Sequence, residues 1–144
     1  MSTIMEVLNR KGSSVLTVPG STSVLDAIGK MSEANIGAIV IQDGDQPAGI
    51  FTERDYLRKI SLEGRSSSDT PVSAVMSSPL ITAPPEESTR TAMETMTERR
   101  CRHLVIVDDG RMVGLVSLGD LVKHLLVEAE AEVEQLSGYI AGSY

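Results

Sequence analysis

Two stretches of this chain read alike at a fixed distance. Gly49-Ile50-Phe51-Thr52-Glu53-Arg54-Asp55 is answered 65 residues later by Gly114-Leu115-Val116-Ser117-Leu118-Gly119-Asp120. The same offset carries Val7 onto Val72, Thr17 onto Thr82, Pro19 onto Pro84, Ala27 onto Ala92, Met31 onto Met96 and Asp43 onto Asp108. No insertion or deletion interrupts the register from Val7 to Val122. A register kept for so long marks an internal duplication, and duplication restricts the fold to architectures built from two copies of one unit. The sequence divides accordingly into a first copy over 1–65 with a lead-in helix, and a second over 66–144 with a C-terminal helix.

Each copy carries one sequence of elements. Thr22 and Ser23 supply cap-forming hydroxyls, and Val24, Ala27, Ile28 and Met31 form a helical stripe behind them. Asn35-Ile36-Gly37 stops that helix. Ala38-Ile39-Val40-Ile41 is a short β-branched run, Asp43-Gly44-Asp45 is a turn, and Ala48-Gly49-Ile50-Phe51 reads as the returning strand. Thr52 then opens a second helix, with Tyr56, Leu57 and Ile60 expected to face inward. In the second copy Ala92, Met93 and Met96 line the first helix, His103 to Val107 and Met112 to Val116 are the strands, and Ser117 opens the last helix. Val15 to Pro19 and Leu80 to Pro84 each read as one further short strand. Glu63 to Pro71 is polar, turn-rich and reads as the linker.

The last helix outruns the repeat. Leu118, Val122, Leu125, Ala129, Val133, Leu136 and Ile140 form one apolar stripe, with Glu128, Glu130, Glu132 and Glu134 between them. That overhang is more than one small repeat can cover, so packing across a homodimer is expected.

Composition removes several functions. A net charge of −7 disfavours nucleic acid, and 3% aromatic residues leave few platforms for stacking bases. No run of 18 apolar residues offers a membrane span, and Met1 to Glu6 does not resemble a secretory signal. Cys101 is the sole cysteine, which fits a reducing compartment and leads to an expected cytoplasmic location. His103 and His124 stand apart from any Cys/His cluster, so spacing offers no zinc site. Arg100, Arg102 and His103 around Cys101 raise the idea of an acidified thiol. No P-loop, GxSxG or HExxH motif and no nucleophile–base pair is present, so no enzymatic activity is expected.

Two tandem βαββα units, each ending in Gly-apolar-apolar-[Thr/Ser]-x-x-Asp, resemble a pair of cystathionine β-synthase (CBS) domains. His103-Leu104-Val105-Ile106-Val107-Asp108-Asp109-Gly110 followed by Val113-Gly114-Leu115-Val116-Ser117 is particularly close to that family's pattern. Phe51 to Lys59, Glu132 to Leu136 and Tyr139 to Gly142 add similarity to the small stand-alone CBS-pair proteins of bacteria and plant organelles. The resemblance implies an α+β fold. Two CBS repeats pack sheet to sheet about a pseudo-two-fold axis, with an extended C-terminal helix, as a Bateman module that pairs with a second copy. It also implies a regulatory function: an adenosine nucleotide (AMP first, or ADP, ATP, NAD or S-adenosylmethionine) held between the repeats and sensed on behalf of a partner protein. The alternative is an interaction adaptor, for example for a thioredoxin-type partner, with incidental ligand binding.

The resemblance also points to site residues. Thr52 with Asp55, and Ser117 with Asp120, stand at helix starts. A hydroxyl with a carboxylate three residues on is also a capping box. In the family this Asp accepts from the ribose hydroxyls, which suits an ionised carboxylate; free helix-start N–H groups suit phosphate. By resemblance the Ser117/Asp120 cleft draws on Ser14, Leu16, Ile36, Gly37 and Ala38. The Thr52/Asp55 cleft draws on Leu80, Ile81, Arg102 and His103. Arg54 and Lys11 join as candidate phosphate contacts. Gly37-Ala38 against Arg102-His103 makes the clefts unequal, with Ser117/Asp120 the expected adenine site.

Overall fold

The computed structural model describes the backbone of residues 2–142 and the side chains of residues 2–138. Helix α1 (Ile4–Lys11) precedes the first unit: β1 (Thr17–Val18), α2 (Val24–Ala34), β2 (Ala38–Asp43), β3 (Gln46–Thr52) and α3 (Glu53–Asp55), which passes into a π-helical run, Tyr56–Ser61. A 3-10 turn, Val72–Ala74, precedes the second: β4 (Thr82–Ala83), α4 (Thr89–Arg99), β5 (His103–Asp108), β6 (Arg111–Ser117) and α5 (Leu118–Gly142).

The duplication survives at the level of register. Each unit forms a three-stranded sheet, with β1 parallel to β2 and β3 antiparallel to it, and β4, β5 and β6 arranged likewise. Ala38 faces Thr52 as His103 faces Ser117, and both hairpins slip register at one place, after Ile41 and after Ile106. The Ser23 hydroxyl accepts from Asp26 N–H at 3.1 Å, so the predicted cap forms, and the Ser88 hydroxyl does the same for Thr91 N–H at 3.0 Å in the second copy. Such a cap contributes about 1 kcal/mol. Asn35 and Arg100 end the two helices at φ 55° and 53°.

The cores are assembled across the sequence boundary between the copies. Ile4, Val7 and Leu8 of α1 are buried with Ala83, Ala92, Met96, Leu104, Ile106, Val116 and Leu121, all from the second copy. Val72 and Val75, which lead into the second copy, are buried with Val24, Met31, Ile39, Ile41, Phe51 and Ile60 of the first. The matching of Val7 with Val72 thus reflects a reciprocal exchange of lead-in segments. Backbone pairing follows the same rule: Ser23 bridges to Pro71, and Ser88 to Thr3. The linker is tied down by this exchange, because Val24 N–H donates to Thr70 O at 2.9 Å and Leu25 N–H to Ser67 O at 3.0 Å.

The repeated glycine has a steric reason. A Cβ on Gly49 would lie 2.9 Å from the Ser77 carbonyl and against Met76, and one on Gly114 would lie 2.6 Å from a Leu8 methyl. Each glycine therefore lets the other copy's lead-in lie flat on a strand. The two sheets approach each other along β3 and β6, which sets the helix starts at Thr52 and Ser117 where the copies meet.

Two expectations need correction. Leu57 is exposed, because the π-helical run turns Tyr56 and Ile60 toward the core and carries Leu57 outward. Along α5 the buried positions are Leu121 and His124, flanked by Leu118 and Leu125, while Val122 and Ala129 are exposed. The helix is rotated so that Leu121 enters the second core beside α1. Beyond Glu128 the described side chains of α5 are all exposed, Val133 and Leu136 at 61% and 62%. Ile140, the last member of the predicted stripe, lies outside the described side chains.

Candidate functional site

The two motif carboxylates cap their helices in the same way and differ in everything around them. Asp120 Oδ2 accepts from Ser117 N–H at 2.8 Å, and Ser117 Oγ accepts from Asp120 N–H at 3.0 Å. Lys11, at the end of α1, reaches across: its Nζ lies 2.6 Å from Asp120 Oδ2 and donates to Leu115 O at 2.8 Å. The Asp120 side chain keeps 26% exposure. Burial works to raise its pKa, but the Lys11 ammonium and the Ser117 hydrogen bonds outweigh that and hold it below the ordinary Asp value. An ionised, partly exposed carboxylate is an acceptor for a diol, and an ammonium beside it is a partner for phosphate.

Asp55 is closed in. Its Oδ2 accepts from Thr52 N–H at 3.0 Å and Thr52 Oγ1 at 3.2 Å; its Oδ1 accepts from Ser77 Oγ at 2.8 Å and pairs with Lys59 Nζ at 3.2 Å. The side chain is 7% exposed. Ser77 also pairs by backbone with Ile50, covering the edge of β3. The equivalent edge carbonyl on β6, Leu115 O, is held instead by the Lys11 side chain. The capping-box chemistry is therefore common to both copies, and Asp55 additionally serves as the anchor of the Ser77 segment.

Ser14 and Leu16 follow Lys11 and are exposed, with Leu16 O accepting from Val40 N–H at 3.3 Å. Ile36 is exposed at the end of α2, Gly37 O accepts from Glu53 N–H at 3.1 Å, and Ala38 is buried opposite Thr52. Leu80 is half-buried, and Ile81 packs on the second core, which gives it a structural role. Arg102 O accepts from Leu118 N–H at 2.8 Å, the counterpart of the Gly37–Glu53 bond. Arg102 and His103 line a hollow of about 500 Å³ with Ser117, Leu118 and Lys123, on the α5 side of the second copy. Burial lowers the His103 pKa, with Lys11 and Arg102 adding to the effect and Asp120 opposing it. His103 is thus held neutral near pH 7, and the cationic character here comes from Lys11 and Arg102. Arg54 Nη1 donates to Arg100 O at 3.4 Å, linking α3 to the end of α4.

Against this geometry the comparisons with known proteins are consistent. The family model for the CBS domain matches residues 4–62 and again 72–127. The chain belongs to the CBS-domain family. It is 41% identical to the CBS domain-containing protein CBSX3, mitochondrial, of Arabidopsis thaliana, over 99% of this chain and 74% of that protein. A solved protein with CBS domains from Burkholderia ambifaria superposes with a TM-score of 0.85 at 43% identity, covering 88% of this chain and 95% of that one. The CBS domain protein PAE2072 from Pyrobaculum aerophilum, solved in complex with AMP, shares the fold at a TM-score of 0.76 and 23% identity, over 90% of this chain and 99% of that one. The relatives are CBS-domain proteins, and within the described residues no helix is long and apolar enough to cross a membrane.

In this CBS pair the partners of Asp55 are what sequence reasoning missed. Lys59 stands four residues along the same helical stretch, a spacing that signals an ion pair. Ser77 has no local signal, since its contact depends on the exchanged lead-in. The idea of an acidified Cys101 fails: the half-buried thiol packs on the second core, and burial raises its pKa beyond what Arg99 and nearby backbone groups restore.

Proposed function

We propose that this CBS pair is a regulatory module binding an adenosine nucleotide, AMP first, in the cleft at Ser117 and Asp120. The observation that carries this reading is the contrast between the two carboxylates: Asp120 is half-exposed and held by one displaceable side chain, whereas Asp55 is saturated. Ribose hydroxyls take the place of Lys11 on Asp120, and the released ammonium turns to the phosphate. Ser14, Leu16, Ile36, Gly37 and Ala38 supply the base-side wall. Arg102 and Arg54 are the further phosphate candidates, with neutral His103 beside them. The Thr52/Asp55 cleft, with Leu80 and Ile81, is the weaker site. The AMP complex of the Pyrobaculum protein supports this choice of ligand class. The unit is the whole pair, with the copies at 1–65 and 66–144 each completing the other's core. Its role is regulatory and non-enzymatic, and its proposed setting is the cytoplasm.

A thermal-shift panel of AMP, ADP, ATP, NAD, S-adenosylmethionine and GTP tests the reading. At about 100 times its dissociation constant, a ligand should add about 2.7 kcal/mol of stability. Adenosine compounds should shift the midpoint and GTP should not; a flat response to every adenosine compound would sink the proposal.

The exposed face of α5 supports a second copy as partner. Leu126, Ala129, Val133 and Leu136 follow one another at helical spacing on the part of the helix that extends beyond the repeat. A dimer is expected by sedimentation, with Val133→Lys and Leu136→Lys together giving a monomer. A wild-type monomer would reject the dimer and leave the face to the regulated protein of the adaptor reading.

A further inference from the structure

A second constellation lies away from the clefts, where α1 meets α5. His124 is 4% exposed, and neither ring nitrogen has a hydrogen-bond partner. Two carboxylates face it. Glu128 Oε1, one turn further along α5, is 3.3 Å from His124 Nε2 and is itself without a hydrogen bond. Glu6 Oε2, from α1, is 3.9 Å from the same nitrogen. The three donor atoms lie within 4.8 Å of one another. Among the described residues neither Glu6 nor Glu128 is paired with a Lys or Arg.

At 3.3 Å the ring and the Glu128 carboxylate are within hydrogen-bond range, yet no aligned bond forms and both atoms stay unpartnered. Metal ligation has a different geometric demand. Ligand atoms held at about 2.0–2.2 Å from a tetrahedral zinc stand about 3.3–3.6 Å apart. The His124–Glu128 separation of 3.3 Å falls within that range, and the His124–Glu6 separation of 3.9 Å lies just above it. One imidazole nitrogen and two carboxylate oxygens are also a donor set that suits a divalent transition metal. An approach is present, because Glu128 borders a groove of about 710 Å³ between α4 and α5 whose wall carries Glu94, Glu98 and Glu132 against a single cation, Arg90, itself paired with Glu94 at 3.4 Å. That acidic wall favours a cation over an anion.

We propose that Glu6, His124 and Glu128 form a divalent metal site of the zinc class, with water completing the shell. The ion would staple the exchanged helix α1 to α5. This proposal is independent of the nucleotide reading, since none of the three residues belongs to either cleft.

Titration calorimetry of Zn²⁺ into the chelator-treated full chain tests it, with a thermal melt alongside. One zinc per chain is expected, with a rise in the melting temperature. Glu6→Gln and Glu128→Gln, both changes at accessible side chains, should each weaken binding about tenfold or more, since even outer-shell changes at metal sites cost 10–100-fold. Both variants should melt like the wild type without metal, and Cys101→Ser should bind like the wild type. His124→Gln should abolish binding, and the two glutamate variants decide the matter if it fails to fold. Absence of stoichiometric zinc, binding indifferent to both glutamate changes, or loss on Cys101→Ser would overturn the site.

Discussion

Asp120→Ala is expected to weaken AMP binding about 100-fold by titration calorimetry, which corresponds to about 2.7 kcal/mol. Hydrogen bonds to a charged group contribute about 1.5–3 kcal/mol each, and a ribose diol can donate two. Part of that gain is offset, because the carboxylate gives up Lys11, now 2.6 Å away. The variant should still fold: Asp120 is half-exposed, and the lost cap costs about 1 kcal/mol. Asp120→Asn keeps the shape and removes the charge, so it should fall between wild type and Asp120→Ala. Unchanged AMP affinity in the folded alanine variant would reject Asp120 as the ribose acceptor.

Asp55→Ala should give the opposite result, a loss of stability rather than of the principal binding event. Removing this carboxylate orphans the Thr52 N–H and the Ser77 hydroxyl together, while the Lys59 ammonium keeps its bond to Val75 O at 2.9 Å. The cap accounts for about 1 kcal/mol, and leaving buried donors unpaired costs about 1–3 kcal/mol more. Lys59 is one-third exposed and adds little, since water replaces its partner. A total of about 3 kcal/mol should lower the melting temperature by about 10 °C for a domain of this size. A melt within about 2 °C of wild type would show that Asp55 does not anchor the Ser77 segment.

The repeat made much of this legible. Strand and helix positions followed from local pattern, because Ser23 and Ser88 cap their helices with nearby atoms and Ala38 to Ile41 is a fully buried run. The different surroundings of the two motif carboxylates were not legible. Gly37 against Arg102 suggested a difference in bulk at the base. The contacts add another at the motif carboxylates, where Asp55 meets Ser77 and Lys59 while Asp120 meets Lys11. The positions 65 residues apart carry different side chains there: His124 stands where the first copy has Lys59, and Gly12 where the second has Ser77. The rotation of α5 was hidden because Leu121 and Val122 both satisfy a helical stripe. Only α1, from the other end of the chain, selects Leu121 and His124.

The exchanged lead-ins bear on how small such a protein can be. A single copy carries the apolar side chains of one core and the lid of another. Alone it would leave Phe51 and Ile60, or Leu104 and Leu121, without the residues that close over them. The smallest self-sufficient form is therefore two copies, whether joined by a peptide link or met as separate chains trading their first turns. The junction between the copies is then not added to a finished fold: it is what lets each core close.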